Sequence, residues 1–166
     1  MPVAHGTHFI YTVRPTDTLY WIATILGSDI NQLERLNALY PPFTDPGLIF
    51  PGQVLIAPSV FFPDDQVIYI VNWGDTLGSI ADRFGTTVEM LLETNPQIID
   101  PDLLAPSQLI RVPAAIYVIS PGDTLSRIAE TFEVSIQSII TANRGRPFFS
   151  PDLLYPGYGL IIPHTA

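Results

Sequence analysis

The chain has 166 residues, a formal charge of −9 with only seven Lys plus Arg, 14% charged residues and no cysteine. An acidic chain this poor in cations suits neither nucleic acid nor anionic lipid, and disulfide staples are excluded. No stretch approaches the ~20 apolar residues of a membrane span.

Taken from the start, residues 1–8 read as a disordered or lightly attached tail, with His5 and His8 as bystanders rather than metal ligands. Met1 to Gly6 lacks a basic region followed by an apolar one, so no secretory leader is read there. Phe9-Ile10-Tyr11-Thr12-Val13 carries alternating β-formers and predicts a strand. Next comes Arg14-Pro15-Thr16-Asp17-Thr18-Leu19-Tyr20-Trp21-Ile22-Ala23, a turn leading into a helix. Leu19, Ile22, Ala23 and Leu26 fall at i, i+3, i+4 and i+7, one helical face, and Thr18 is placed to cap it. A second helix is expected from Asp29, with Ile30 and Leu33 apolar and Asn37 closing it in a left-handed conformation. A stiff Pro-rich loop, Pro41 to Pro46, leads through Leu48-Ile49 to a last strand, Val54-Leu55-Ile56. In the linker 59–66, Phe61 and Phe62 are expected to bury against something.

The same series then recurs twice. Strands are predicted at Val67–Val71 and Ala115–Ile119, and turns at Asn72-Trp73-Gly74-Asp75 and Ser120-Pro121-Gly122-Asp123. Helical stripes follow: Leu77, Ile80, Ala81, Phe84, then Leu125, Ile128, Ala129, Phe132. From Asp17, Asp75 and Asp123 the next matching Asn (Asn37, Asn95, Asn143) lies 20 residues on each time, whereas the interval from Asn to Pro51, Pro106 or Pro156 varies, at 14, 11 and 13 residues. Fixed intervals imply packed elements and a variable one implies a surface loop. Three units of about fifty residues follow, roughly 9–58, 67–113 and 115–163. A unit that small buries only ~60% of its unfolded surface, so the units are expected to pack on one another. Only Ala114 and Ala115 separate the second from the third, which predicts a fixed orientation there.

This pattern resembles the LysM family. It is carried by Tyr-x-Val/Ile, Asp-Thr-Leu-x-x-Ile-Ala, the Asn, and Pro-Asp-Leu-Leu-x-Pro before an apolar strand ending in Pro. The first copy departs from it, with Thr16 where the others have Gly74 and Gly122, and Gly47 where they have Asp102 and Asp152. If that first glycine serves a positive φ or close ligand approach, the first site is the weakened one. The resemblance implies an α+β fold of three tandem β-α-α-β modules, each with two helices packed on a two-stranded antiparallel sheet. It also implies shallow grooves for N-acetylglucosamine units between the loop after the first strand and the loop before the last. By position the second unit offers Gly74, Asp75, Thr76, Leu77, Pro101, Asp102, Leu103 and Leu104. The third offers Gly122, Asp123, Thr124, Leu125, Pro151, Asp152, Leu153 and Leu154, and the first Asp17, Thr18, Leu19, Pro46, Leu48 and Ile49.

Leu77 and Leu125 are core positions whatever else they do. Tyr20, Trp21 and Trp73 either stack on a pyranose ring or bury between units; the sequence leaves both open. Hydrolysis needs a nucleophile with a base, a metal, or two carboxylates across the scissile bond. With no Cys, three peripheral His, and the recurrent Asp at turn positions, the expectation is a non-catalytic protein without cofactor or metal. The partner implied is an N-acetylglucosamine-containing glycan, peptidoglycan or chitin, at a bacterial cell envelope or spore. The alternative is an assembly protein of a spore coat or phage particle that docks other proteins.

Overall fold

A computed structural model describes residues 2–164. Each unit is built as strand, two helices, strand. The first contains β1 (Thr7–Thr12), α1 (Leu19–Leu26), α2 (Ile30–Leu36) and β2 (Val54–Ser59); the second β3 (Gln66–Ile70), α3 (Leu77–Arg83), α4 (Val88–Thr94) and β4 (Leu109–Val112). The third contains β5 (Ala114–Val118), α5 (Leu125–Phe132), α6 (Ile136–Ala142) and β6 (Gly159–Pro163). The first and last strands of every unit pair antiparallel. All six helices carry the cap the sequence provides: Thr18, Thr76, Thr124, Asp29, Thr87 and Ser135 each accept a backbone N–H from the first turn.

Units one and two share more than a border. β1 and β3 pair in parallel, giving one four-stranded sheet in the order β2-β1-β3-β4, while β5 and β6 form a separate pair. In the repeat Tyr69 corresponds to Tyr11, yet in the sheet Tyr69 lies opposite Ile10. That one-residue offset turns equivalent side chains to opposite faces. Tyr11 therefore joins Ile68, Ile70 and the α1–α2 core residues Leu19, Ile22 and Leu33, whereas Tyr69 joins Ile10 and the α3–α4 residues Leu77, Ile80 and Leu91. The two helix pairs cover opposite sides of one sheet. Unit three closes the remainder of the second side, where Ile116, Ala142 and Ile161 pack with Ile10, Val54 and Ile56.

Three arginines stitch the units together. Arg14 of unit one donates to Ser107 Oγ (2.9 Å) and Val71 O (3.3 Å) of unit two. Arg83 of unit two donates to Ala142 O (2.9 Å) and Arg144 O (3.0 Å) of unit three. Arg146 of unit three returns to Leu36 O (3.2 Å) and Asn37 Oδ1 (2.9 Å) of unit one. Only Pro113 lies between β4 and β5.

Three expectations need correction. Residues 4–8 are not a loose tail, Met1 lying outside the described residues: Thr7 and His8 are buried in β1, Ala4 N donates to Ile116 O at 2.8 Å, and His5 Nδ1 lies 3.3 Å from Asp65 Oδ2. Strand pairing there satisfies backbone groups that a short sequence reading sees as polar and unpatterned. Phe61 and Phe62 stay substantially exposed, each resting one side on unit one. Phe62 meets Phe9 edge-on at 6.1 Å, and Phe61 lies over Gly27, where any Cβ would collide with its ring. Asn37, Asn95 and Asn143 are not left-handed, with φ of −120°, −123° and −99°. Their side chains do the closing instead: Asn143 Nδ2 donates to Ile139 O (2.7 Å) and Ile161 O (2.8 Å), and its Oδ1 accepts Ile161 N–H (2.9 Å). Asn37 does the same with Leu33 and Ile56, and Asn95 with Leu91 and Arg111. A side-chain amide thus ties the second helix to the backbone of the last strand.

Candidate functional site

After the first strand of each unit comes a four-residue turn closed by Asp17 N–H to Arg14 O, Asp75 N–H to Asn72 O, or Asp123 N–H to Ser120 O, each at 3.1 Å. The third residue has positive φ: 73° at Thr16 and 86° at both Gly74 and Gly122. This is the type II turn, which favours glycine there. A Cβ built on Gly74 or Gly122 meets no atom within 4 Å, so the glycine serves backbone conformation rather than close packing. Thr16 keeps the same turn at a conformational cost. Thr16→Gly is expected to raise stability by about 1 kcal/mol and the melting temperature by ~2–4 °C. Thermal unfolding followed by circular dichroism checks this, and a lower midpoint would contradict the strain argument.

The recurrent Asp locks that turn to its strand. Asp17 Oδ2 accepts Tyr11 OH and Arg14 N–H; Asp75 Oδ2 accepts Tyr69 OH (2.7 Å) and Asn72 N–H (2.8 Å); Asp123 Oδ2 accepts Tyr117 OH and Ser120 N–H (2.8 Å). Burial first, and then the Asp bond, raise the pKa of all three tyrosines above the ordinary phenol value. The phenols therefore stay donors throughout the neutral range. Tyr-x5-Asp was visible in the sequence as a spacing, but not as a bond.

A second turn precedes each last strand: Phe50–Gln53, Ala105–Gln108 and Tyr155–Tyr158, closed by the N–H of the fourth residue to the C=O of the first at 3.2, 3.1 and 3.1 Å. Its third residue also has positive φ, 92° at Gly52, 74° at Ser107 and 89° at Gly157. Gln53 and Gln108 brace it, their Oε1 accepting Phe50 N–H (2.9 Å) and Ala105 N–H (3.0 Å). Sequence reading missed these two glutamines; their matching place after Pro-Gly and Pro-Ser was the available signal. The two turns of a unit are joined by backbone pairs, such as Val71 N–H to Gln108 O (2.9 Å) and Ser107 N–H to Val71 O (2.8 Å).

The residues expected at the groove separate into three groups. Leu19, Leu77 and Leu125 are buried core. Asp17, Asp75, Asp123, Ile49, Leu104 and Leu154 are half-buried, with the Asp oxygens engaged as above. Thr18, Thr76, Thr124, Gly74, Gly122, Pro46, Pro101, Pro151, Asp102 and Asp152 are exposed. So are Leu48, Leu103 and Leu153, at 44%, 74% and 57%. These three occupy the same place in each copy, an apolar tip held in water by a short turn closed at Asp45 and Asp100 in the first two. Tyr20, Trp21 and Trp73 are exposed rather than buried between units, Trp73 most of all at 81%. A broader hollow, of about 590 Å³, lies elsewhere, against β4 and the linker, lined by Phe62, Gln66, Ile68, Asn95, Leu109 and Arg111. Among the described residues no group of three His, Asp or Glu is placed to hold a metal, and no helix is long and apolar enough to cross a membrane.

The LysM domain family matches residues 11–58, 69–113 and 117–163. The chain belongs to the LysM family. Its three modules are tandem copies of that domain. Among curated relatives, an N-acetylmuramoyl-L-alanine amidase, sle1 of Staphylococcus epidermidis, is 30% identical over 96 residues, covering 52% of this chain and 28% of the amidase. The membrane-bound lytic murein transglycosylase D of Escherichia coli K12 is 34% identical over 87 residues, covering 52% of this chain and 19% of that protein. The chain thus spans less than a third of the length of either. Among solved structures, the spore cortex-lytic enzyme SleL of Bacillus cereus is 27% identical with a TM-score of 0.46, over 64% of this chain and 22% of that one.

Proposed function

We propose that the three LysM modules bind N-acetylglucosamine-containing polymers, peptidoglycan or chitin, without cleaving them, at a bacterial envelope or spore surface. One observation carries this reading: a leucine kept exposed at the same turn in all three copies, Leu48, Leu103 and Leu153. An apolar side chain that folding leaves in water three times over is explained by a ligand, and the acetamido methyl of the sugar is a fitting one. Hydrogen bonds to that sugar fall to backbone amides of the two turns and to Thr18, Thr76 and Thr124 near the helix starts. The absence of Lys and Arg from the tips, where Asp45, Asp100, Asp102 and Asp152 are exposed, suits a hydroxyl-rich chain rather than a polyanion. Supporting the non-catalytic reading, the three recurrent carboxylates are each engaged by a phenol and an amide, which leaves them poorly placed as acid, base or nucleophile.

A single shallow site of this kind binds in the mM range, roughly −4 kcal/mol. Titration calorimetry with chito-oligosaccharides and co-sedimentation with insoluble peptidoglycan test the proposal. The triple variant Leu48→Asp, Leu103→Asp, Leu153→Asp is expected to weaken both by at least about tenfold with an unchanged melting temperature. Wild-type protein that binds neither ligand would end the proposal, and release of soluble fragments from labelled peptidoglycan would end its non-catalytic part.

A further inference from the structure

Because β1 and β3 run parallel in one sheet, the turns that follow them emerge at the same end of that sheet. Ile10 lies opposite Tyr69, so Arg14 and Asn72 leave their strands within one residue of the same level, about 3.3 Å. Neighbouring strands are ~4.8 Å apart. The helix pairs sit on opposite faces, which places the two candidate grooves on either side of the sheet but opening at one common end.

That end is clamped. Arg14, in the first turn of module 1, donates to Ser107 Oγ in the second turn of module 2 and to Val71 O at the base of that module's first turn. Of the six positive-φ positions in the first and second turns of the three modules, four are glycine; the exceptions are Thr16 and Ser107. Both exceptions belong to the two turns that Arg14 connects, and Ser107 spends its side chain on that connection. Trp73, 81% exposed, stands at the corner of the module 2 turn, where modules 1 and 3 have Pro15 and Pro121. Nothing in the fold requires an indole there. Module 3 contributes no strand to this sheet and is left out of the arrangement.

We propose that modules 1 and 2 form one composite site, in which a single N-acetylglucosamine chain crosses the end of the shared sheet from one groove to the other past Trp73. This rests on the glycan-binding reading and adds to it a substrate class: oligomers long enough to span two modules. A second contact at fixed separation is intramolecular and raises affinity by ~10²-fold when the geometry is met.

The test is calorimetric titration of the full chain with a short and a long chito-oligosaccharide, using Leu48→Asp, Leu103→Asp and Leu153→Asp one at a time. The wild type is expected to bind the long oligomer ~10²-fold more tightly than the short one. Leu48→Asp and Leu103→Asp should each remove that gain, whereas Leu153→Asp should keep it and lose only a weak site. Ser107→Gly should reduce the gain with little change in melting temperature, since relief of strain offsets the lost clamp. A gain that survives Leu48→Asp or Leu103→Asp, or short and long oligomers bound equally by the wild type, overturns the composite site and leaves single-module binding standing. Absence of binding to either oligomer and to peptidoglycan brings down the glycan-binding reading itself, and the composite with it.

Discussion

Arg146→Ala is expected to cost about 4 kcal/mol of stability and lower the melting temperature by about 10 °C. The guanidinium is buried, and its four acceptors are neutral oxygens: Asn143 Oδ1 (3.2 Å), Gly159 O (2.7 Å), Leu36 O (3.2 Å) and Asn37 Oδ1 (2.9 Å). Its carbon stacks over the Tyr158 ring at 4.7 Å. Burial pulls its pKa below the usual guanidinium value, with Tyr158 acting in the other direction. Truncation takes one donor away from each of those oxygens in a dry space, leaving the Asn143 and Asn37 oxygens only the strand N–H of Ile161 and Ile56, and opens a cavity between modules 1 and 3. Arg127→Ala, on an exposed helix face, serves as control and should stay within about 0.5 kcal/mol. Chemical denaturation of the two variants decides the matter; equal midpoints would show that the buried cation contributes nothing net.

Asn143→Ala should cost nearly as much, about 3–4 kcal/mol. It removes three bonds to Ile139 and Ile161 backbone and one acceptor of Arg146. Asn95→Ala removes the same three backbone bonds in module 2, but its strand partner Arg111 is exposed, so water replaces part of the loss. The expected order is Asn143→Ala well above Asn95→Ala, read from urea midpoints, and the reverse order would refute the role of burial. Asn143 and Arg146 share a bond, so the double variant should cost less than the two single losses added together.

Much of each module was legible in the sequence because its cause is local. Threonine before a Leu-x-x-Ile-Ala stripe caps and buries a helix by rules that act over one or two turns, and Pro-Gly fixes a turn wherever it stands. The Asn repeat was legible as a helix terminator but not as a strand tie, because its partners lie 16 to 19 residues further on. Pairing of β1 with β3 was not legible at all. Alternation of side chains shows that a segment is a strand but carries no sign of which neighbour it takes, nor that an offset of one residue will turn the second helix pair to the other side. Arg146 escaped for a different reason: a cation beside Arg144 at the start of a Pro-rich loop reads as solvated, and only the convergence of two Asn amides and two carbonyls from separate modules makes its burial tolerable. Of the candidate site, Leu48, Leu103 and Leu153 could be listed by their place in the repeat, but their exposure could not be read from it. The common end shared by modules 1 and 2 could not, since it follows from the strand pairing.

Ile10, Val54 and Ile56 of module 1 share one cluster with Ile116, Ala142 and Ile161, which module 3 folds back onto the sheet. Cutting the chain after its second copy would therefore bare an oily patch on the shared sheet. The third copy is consequently held in place by burial. Neither evolution nor a protein engineer can shorten this chain one copy at a time, as they could a string of independent beads, without first repainting that surface with polar side chains.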